Sequence, residues 1–278
     1  MVVQQHRLRG GTVAVAAAVV GVTALTGSLS GCSGGRADAR TGEADPTRTV
    51  RDASVVLAHA GTSKTRTSME MATGGTRVTI RGEGTYDFRQ RVGRLKVVLP
   101  TDASGAEEHR PITELLAPGA LYMKNRGAGV PADKWVRIDT TTLTDGNLVT
   151  GGATDPAAAA ELLRGAREVR YVGQLDLAGV RVRHYRGTTD IARAARAASP
   201  QVRGALAAAA KGFANDAVPF DAYLDDEGRL RKVRHRFSYL NQGRTVAVAS
   251  TTLLFGFGTP VEVRLPDAED IYAGRIEA

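Results

Sequence analysis

The sequence has 278 residues, of which 42% are hydrophobic and 5% aromatic, and its formal net charge is +8 at pH 7. The basic residues are spread singly along the chain and aromatic residues are few, which argues against a nucleic-acid surface that stacks bases. No Pro, Gly or Ser-rich linker divides the chain after its first segment, so its length predicts one large domain.

The chain begins with the features of a bacterial signal peptide. Arg7 and Arg9 precede an apolar run over residues 12–25 that contains no charged residue. This run is shorter than the roughly twenty residues that a membrane-spanning helix needs. The order of a basic end, an apolar core and small residues predicts a segment that is removed after export.

The signal ends in Leu29-Ser30-Gly31-Cys32, which resembles the bacterial lipobox. In a lipobox the cysteine thiol receives a diacylglyceryl group and the peptide bond before it is cut. We therefore expect residues 1–31 to be removed and Cys32 to hold the chain at the extracytoplasmic face of the cell membrane. Cys32 is the only cysteine in the sequence, which excludes a disulfide within the chain. The alternative is an ordinary secretory signal that ends near an unrelated cysteine.

Residues 32–45 have the composition of a flexible tether. They are small or charged, cannot bury apolar surface and are expected to stay disordered. A stretch of this length spans on the order of 20 Å, enough to hold a domain clear of the membrane. Loss of Arg7 and Arg9 lowers the net charge from +8 to +6, which suits a protein beside anionic lipid. Residues 46–278 are predicted to form a single domain.

The first half of this domain is predicted to contain one helix and a set of long strands. Asp45 is placed to cap a helix over residues 46–59, and Gly61 is placed to stop it. From residue 64 the apolar period changes to two. The alternation over residues 64–99 predicts an antiparallel meander with one polar face.

The middle of the chain mixes short strands and helices. Strands are predicted over residues 120–124 and 134–138 around a Gly/Pro loop, then a helix from Asp155-Pro156 to Leu163, strands over 168–173 and 179–186, and an alanine-rich helical region over 190–214 broken at Ser199-Pro200. No single period dominates this region.

The last third is predicted to consist of hairpins. Strands are expected over residues 219–224, 229–239 and 244–255, with an acidic turn at 225–228. The alternation slips between Leu230 and Val233, which predicts a β-bulge. Together the elements indicate an α+β fold with a large curved antiparallel sheet and helices on one of its faces.

No pattern of catalytic or metal-binding residues is present. The histidines His59, His109, His184 and His235 have no HxH or HxxxH spacing. The acidic turn lacks the alternating oxygen donors of a calcium loop. Motifs for a nucleophile elbow or a phosphate-binding loop are absent from residues 32–278. The sequence therefore predicts neither enzyme activity nor a metal or cofactor, and a catalytic site built from dispersed residues stays open as an alternative.

The order of signal, lipobox, tether, helix, long hairpins and helical insertions resembles the actinobacterial lipoproteins of the LppX/LprAFG family. The strand, acidic turn and basic strand of FDAYLDDEGRLRKV, residues 220–233, form the most specific local match. The excess of Arg, Ala and Gly, typical of a GC-rich genome, agrees with such a source. The resemblance implies a half-barrel like that of the lipoprotein carriers LolA and LolB, wrapped around helices with an apolar cavity.

The resemblance also implies that the chain binds a lipid or glycolipid, with transport across the envelope as its role. Apolar residues at alternating positions of neighbouring strands are the candidates for a cavity wall: Met69, Met71, Val78, Ile80, Tyr86, Leu95, Val97 and Leu99, with the small Gly82 and Gly84 between them. The alternative is that these residues form a filled core.

A second function remains open beside the lipid carrier. Because related half-barrels also serve as regulatory sensors, the alternative is a membrane-tethered sensor or regulatory module that contacts a protein partner through a sheet edge or loops. The identity of such a partner does not follow from the sequence.

Overall fold

The computed structural model describes residues 45–274 except 74–75, 101–109, 128, 214 and 242–243. The predicted signal peptide, Cys32 and nearly all of the predicted tether lie outside the described residues. His109 lies outside them as well. In the part of the chain that the structure describes, no helix is long and apolar enough to span a membrane.

The domain begins with two short helices, α1 (Pro46–Arg51) and α2 (Ala53–Ala60). The Asp45 carboxylate accepts a hydrogen bond from the backbone N–H of Thr47 at 2.9 Å, as expected of the N-cap. The prediction of one continuous helix was wrong, because Asp52 interrupts it. Asp competes for backbone hydrogen bonds and is a poor residue inside a helix.

Within the described residues, eleven strands form one sheet in which every neighbouring pair is antiparallel. They are β1 (Thr62–Thr73), β2 (Thr76–Asp87), β3 (Val92–Val98), β4 (Ile112–Ala117), β5 (Ala120–Lys124), β6 (Trp135–Asp139), β7 (Ala166–Leu177), β8 (Val180–Asp190), β9 (Ala217–Leu224), β10 (Leu230–Asn241) and β11 (Arg244–Phe255). Their order across the sheet is β6-β5-β4-β3-β2-β1-β11-β10-β9-β8-β7. The sheet is open, with β6 and β7 at its edges.

Two meanders, β1–β6 and β7–β11, meet where β1 pairs with β11. The chain passes from one edge of the sheet to the other through residues 140–165, which include α3 (Pro156–Leu162) and a 3₁₀ turn (Leu163–Gly165). Helices α4 (Ile191–Ala197) and α5 (Pro200–Gly212) lie between β8 and β9 in the chain. The α+β fold with a curved antiparallel sheet, predicted from the sequence, is confirmed.

The strand alternation defines two faces of the sheet. In β3, Leu95 and Val97 are buried whereas Arg94 and Lys96 are exposed. We call the face of Leu95 and Val97 the inner face and the opposite one the outer face. Every residue of α3 is buried, which places this helix inside the domain. The core therefore lies between the inner face and the helices.

Two details of the strands test the predicted register. The pairing of β10 with β9 shifts between Leu230 and Lys232, which confirms the predicted bulge. Strand β4 was not predicted, because Leu115 and Leu116 are both buried and no alternation marks the strand in the sequence. At residues 225–228 the acidic segment forms a hairpin turn, as expected.

Residues 271–272 lie along one edge of the sheet. The backbone N–H of Tyr272 donates to the carbonyl of Trp135 at 2.8 Å, and Ile271 bridges Trp135 in parallel orientation. This contact covers part of the edge strand β6. An edge strand left bare would offer unpaired backbone groups to other chains.

Candidate ligand cavity

A cavity of about 250 Å³ lies at the end of the sheet where β1 ends and β2 begins, which we call the open end. The opposite end, where β2 leads into β3, is called the closed end. The cavity is lined by Met71, Ile80, Arg126, Thr144, Asp145, Val149, Thr150, Gly152, Gly212 and Phe213. Its lining combines the sheet with the helical connection.

The sheet wall of this cavity follows from strand pairing. Met71 lies opposite Val78, and Met69 lies opposite Ile80, in the β1–β2 register. Because side chains two residues apart share a face, all four belong to the inner face. The unbranched Met side chain adapts to irregular space better than a branched residue does. This wall can change shape without moving its backbone.

The opposite wall is a folded segment between β6 and α3. The Asp145 carboxylate accepts hydrogen bonds from the backbone N–H groups of Val149 at 2.8 Å and Thr150 at 2.6 Å. The Thr154 hydroxyl donates to the Leu148 carbonyl at 2.9 Å and contacts the Ser250 hydroxyl at 2.6 Å. These bonds tie the segment to the inner face of β11.

Two glycines let this segment approach its neighbours closely. At Gly152, which has φ +86°, a Cβ atom would come within 3.4 Å of Ile80. At Gly212 a Cβ atom would lie only 1.9 Å from the Thr144 carbonyl oxygen. Position 212 therefore requires glycine so that the end of α5 can close the cavity with Phe213.

The structure separates the eight predicted wall residues into different surroundings. Met71 and Ile80 line the cavity. Leu99 borders a second pocket of about 290 Å³, and Tyr86 borders a crevice of about 30 Å³ at the closed end. Met69, Leu95 and Val97 are buried in the packed core, and Val78 is half-buried against it. A lipid-binding role for any of them stays a prediction.

The closed end is filled by side chains. The Tyr86 and Phe88 rings lie 4.9 Å apart, and the Tyr86 hydroxyl lies beside the Asp155 carboxylate. Burial raises the pKa of Tyr86 well above its usual value and also raises that of Asp155. Asp155 caps α3 through the backbone N–H of Ala157 at 2.7 Å. At this end the predicted apolar wall borders a crevice of only about 30 Å³.

The glycines predicted to lie within the wall do not open space either. A Cβ atom at Gly82 would lie 2.6 Å from the Thr67 hydroxyl oxygen. At Gly84 it would lie 1.8 Å from the Arg94 carbonyl oxygen. Both glycines allow close packing of the strands.

The inner face also holds buried polar groups. Glu114 lies opposite Leu95 and Met123, and neither carboxylate oxygen has a hydrogen-bond partner among the described residues. Burial raises the pKa of Glu114 to about 8, against a smaller opposing effect of Arg126. Burial likewise lowers the pKa of His235 to about 3. Both groups are therefore uncharged at neutral pH.

The other two histidines among the described residues lie outside the cavity. His59 is exposed on α2, and His184 contacts the Asp221 carboxylate at 2.8 Å on the outer face. Among the described residues, no group of three or more His, Cys, Asp or Glu side chains is arranged to hold a metal ion.

Sequence reasoning found the sheet wall but missed the opposite wall. Arg126, Thr144, Asp145, Val149 and Phe213 come from loops and a helix end, where no apolar period marks them. The available signal was the glycine content of residues 146–152, which indicates a tightly folded segment and not a linker.

No protein-family model and no curated protein matches the sequence. Among solved structures, the chain is similar to lipoprotein LppX of Mycobacterium tuberculosis at 9% identity, over 80% of this chain and 100% of that one, with a TM-score of 0.44. It is similar to LprF of Mycobacterium bovis at 13% identity, over 80% of this chain and 96% of that one, with a TM-score of 0.39.

A LolA-superfamily protein from Nitrosomonas europaea is also similar, at 11% identity over 82% of this chain and 98% of that one, with a TM-score of 0.33. LppX and LprF, which belong to the family that the sequence resembles, are thus among the proteins whose structures are similar to this one. Sequence identities this low support a similarity of fold alone. Function is therefore argued from the residues of this chain.

Proposed function

We propose that the chain is a membrane-anchored lipoprotein that binds the acyl part of a lipid or glycolipid in the inner-face cavity and carries it across the envelope. The observation that supports this proposal is the cavity between Met71, Ile80, Val149 and Phe213. Apolar walls with a few polar groups at one side are typical of small-molecule sites.

The size of the cavity limits its ligand. Its volume of about 250 Å³ lies slightly below the roughly 300–1,000 Å³ of drug-sized sites. It therefore suits a segment of one acyl chain, with each buried methylene contributing about 0.8 kcal/mol. The headgroup would lie outside, near Arg126 and Asp145, whose charged ends suit a polar group.

The anchor is the second part of the proposal. Cys32 would supply both the acylated thiol and the position of cleavage. A Cys32→Ala precursor is expected to stay uncleaved or to leave the membrane fraction, as measured by fractionation and intact mass. A processed Cys32→Ala chain that stays with the membrane would disprove the anchor.

Native mass spectrometry of the chain from Ser33 onwards tests the ligand. This chain lacks the anchor lipid but keeps the whole described core, which lies within residues 45–274. The expected result is a population that carries one acyl lipid after gentle purification. An apo mass alone, also after incubation with membrane extract, would contradict lipid binding and favour the regulatory module.

A further inference from the structure

A groove of about 400 Å³ lies at the open end of the sheet, bordered by residues of the outer face and by the inner-face positions Met71, Val218, Phe237 and Val248. Its floor consists of Ala72, Ala247 and Ala249, and Ala72 pairs with Ala247 across β1 and β11. Because these side chains are small, they form a depression in the outer face along these two strands. Longer side chains on the flanking strands then form the sides of a channel.

The sides of the groove carry arginines. Arg77 lies on β2, and Arg234 and Arg236 lie on β10, all at outer-face positions. β2 and β10 are three strand spacings apart, about 14 Å, so arginines stand on both sides of the alanine floor. Glu70 is the one acidic residue that borders the groove.

These arginines keep donors available for a ligand. Arg234 lies 3.6 Å from Glu70, a loose contact, and Arg77 has no ion pair among the described residues. Arg236 donates to the Asp221 carboxylate at 2.7 Å and keeps further N–H groups, since a guanidinium has five. Guanidinium groups bind phosphate oxygens through paired hydrogen bonds.

The basic character extends beyond the groove. Arg81 and Lys232 stand on the outer face of β2 and β10. Arg186 stands there on β8 but is paired with the Asp221 carboxylate at 2.8 Å. The sequence suggested basic residues that are spread singly. Alternate positions on adjacent strands instead bring them together on one face of the sheet.

The groove lies at the end of the domain where the chain enters. Arg51 at the end of α1 donates to the carbonyl of Ala166, the first residue of β7, at 2.6 Å. Ala166 pairs with Thr189, and Thr189 pairs with Val218, which borders the groove. Helix α1, with which the described residues begin, therefore packs at the same end of the sheet as the groove. Met71 borders both the groove and the cavity.

We propose that the outer-face groove binds the phosphate of an anionic phospholipid in the anchoring membrane and so turns the open end of the domain toward the bilayer. The charge of the groove, its position at the end of the sheet that holds α1 and its shared border with the cavity support this orientation. This inference rests on one part of the proposed function, the lipid anchor at Cys32. Each basic residue near an anionic surface strengthens binding about fivefold.

The test uses the chain from Ser33 onwards, which has no lipid of its own. Its sedimentation is measured with vesicles of phosphatidylcholine alone and of phosphatidylcholine with phosphatidylglycerol. The wild type is expected to bind only the vesicles that contain the anionic lipid. Its affinity for them is expected to fall about fivefold in Arg77→Gln and about 25-fold when Arg234→Gln is added to that variant. The control is Arg94→Gln, an exposed outer-face position on β3 away from the groove, which is expected to change binding less than twofold.

Equal losses in Arg77→Gln and Arg94→Gln, or equal binding to both vesicles, would overturn the proposal. So would release of the protein from vesicles by inorganic phosphate at low concentration, because the site would then prefer the free ion. The thermal midpoints of all variants should match that of the wild type, since the changed residues are on the surface. Native mass spectrometry separates the two proposals: the groove variants should keep the acyl ligand of the cavity.

Discussion

The two ends of the inner face are built from the same strands but differ in what lies against them. At the closed end, Tyr86 packs against Phe88 and beside Asp155, and only a crevice of about 30 Å³ remains. At the open end, Met71 and Ile80 face a cavity of about 250 Å³. The connection between β6 and β7 borders both spaces. Asp155 and Ala158, at the start of α3, border the crevice, whereas Val149 and Gly152 border the cavity.

The comparison teaches that strand alternation determines which face a residue occupies but not whether space remains beside it. Tyr86 and Ile80 belong to the same face of β2. Part of what lies beside each of them comes from far along the chain: Asp155 lies beside Tyr86, and Gly152 lies beside Ile80. Four changes test this account, given from the largest expected effect to the smallest.

Glu114, midway between the two ends, should give the largest effect. Its folded pKa of about 8 lies above the usual 4.5, so the folded state holds the proton more tightly. The contribution of Glu114 to the free energy of unfolding is complete below pH 4.5. It falls by roughly 4 kcal/mol as the pH rises to 8, because each unit of pKa difference corresponds to about 1.36 kcal/mol. Glu114→Gln should remove this loss.

Urea unfolding of wild type and Glu114→Gln between pH 6.5 and 8 measures the effect, because the His235 transition lies lower, between its pKa of about 3 and its usual 6.5. In this range roughly 2 kcal/mol of the Glu114 contribution is expected to disappear from the wild type alone. Parallel stability curves for the two proteins would show that Glu114 is not buried as described.

Glu161→Ala should weaken the closed end by about 3 kcal/mol. The Glu161 side chain is 1% exposed and contacts Arg91 at 2.9 Å as well as Arg164. Its removal leaves two partly buried cations without a partner. Glu70→Ala is the control, because Glu70 is 45% exposed and 3.6 Å from Arg234. If Glu70→Ala lowers the free energy of unfolding as much as Glu161→Ala does, the distinction between the filled and the open end is wrong.

Thr154→Val should loosen the segment that faces the cavity, at a cost of about 1–2 kcal/mol in the free energy of unfolding. The Thr154 hydroxyl bonds to Leu148 and Ser250, whereas the buried Thr252 hydroxyl has no partner among the described residues. Thr252→Val is therefore the matched control and should be neutral or slightly stabilising. If the two valine variants unfold at the same urea concentration, the anchoring role of Thr154 is wrong.

The sequence predicted most of the fold because long alternating stretches carry a strong local signal. β1, β2, β10 and β11 have twelve residues each, and their alternation fixes both their type and their buried face. The short β4 was missed because Leu115 and Leu116 are buried on both of its faces. Asp52 split the first helix where the apolar stripe alone predicted continuity.

The site was only half predictable for a related reason. Met71 and Ile80 follow from the period of two, whereas Phe213, Val149 and Arg126 reach the cavity through tertiary contacts that no local pattern encodes. The same limit applies to Leu95 and Val97, which alternate like cavity residues but lie in a filled core. The arginine groove also depends on pairing between strands that are distant in the chain.

The central claim is that Met71 borders open space that holds an acyl chain, while Val97 lies in packed core. Native mass spectrometry and thermal unfolding of Met71→Trp and Val97→Trp test it together. Met71→Trp is expected to lose the acyl ligand with a thermal midpoint near that of the wild type. Val97→Trp is expected to lose about 1–3 kcal/mol of stability through overpacking. A Met71→Trp protein that keeps its full complement of lipid, or that is destabilised as much as Val97→Trp, would contradict the account.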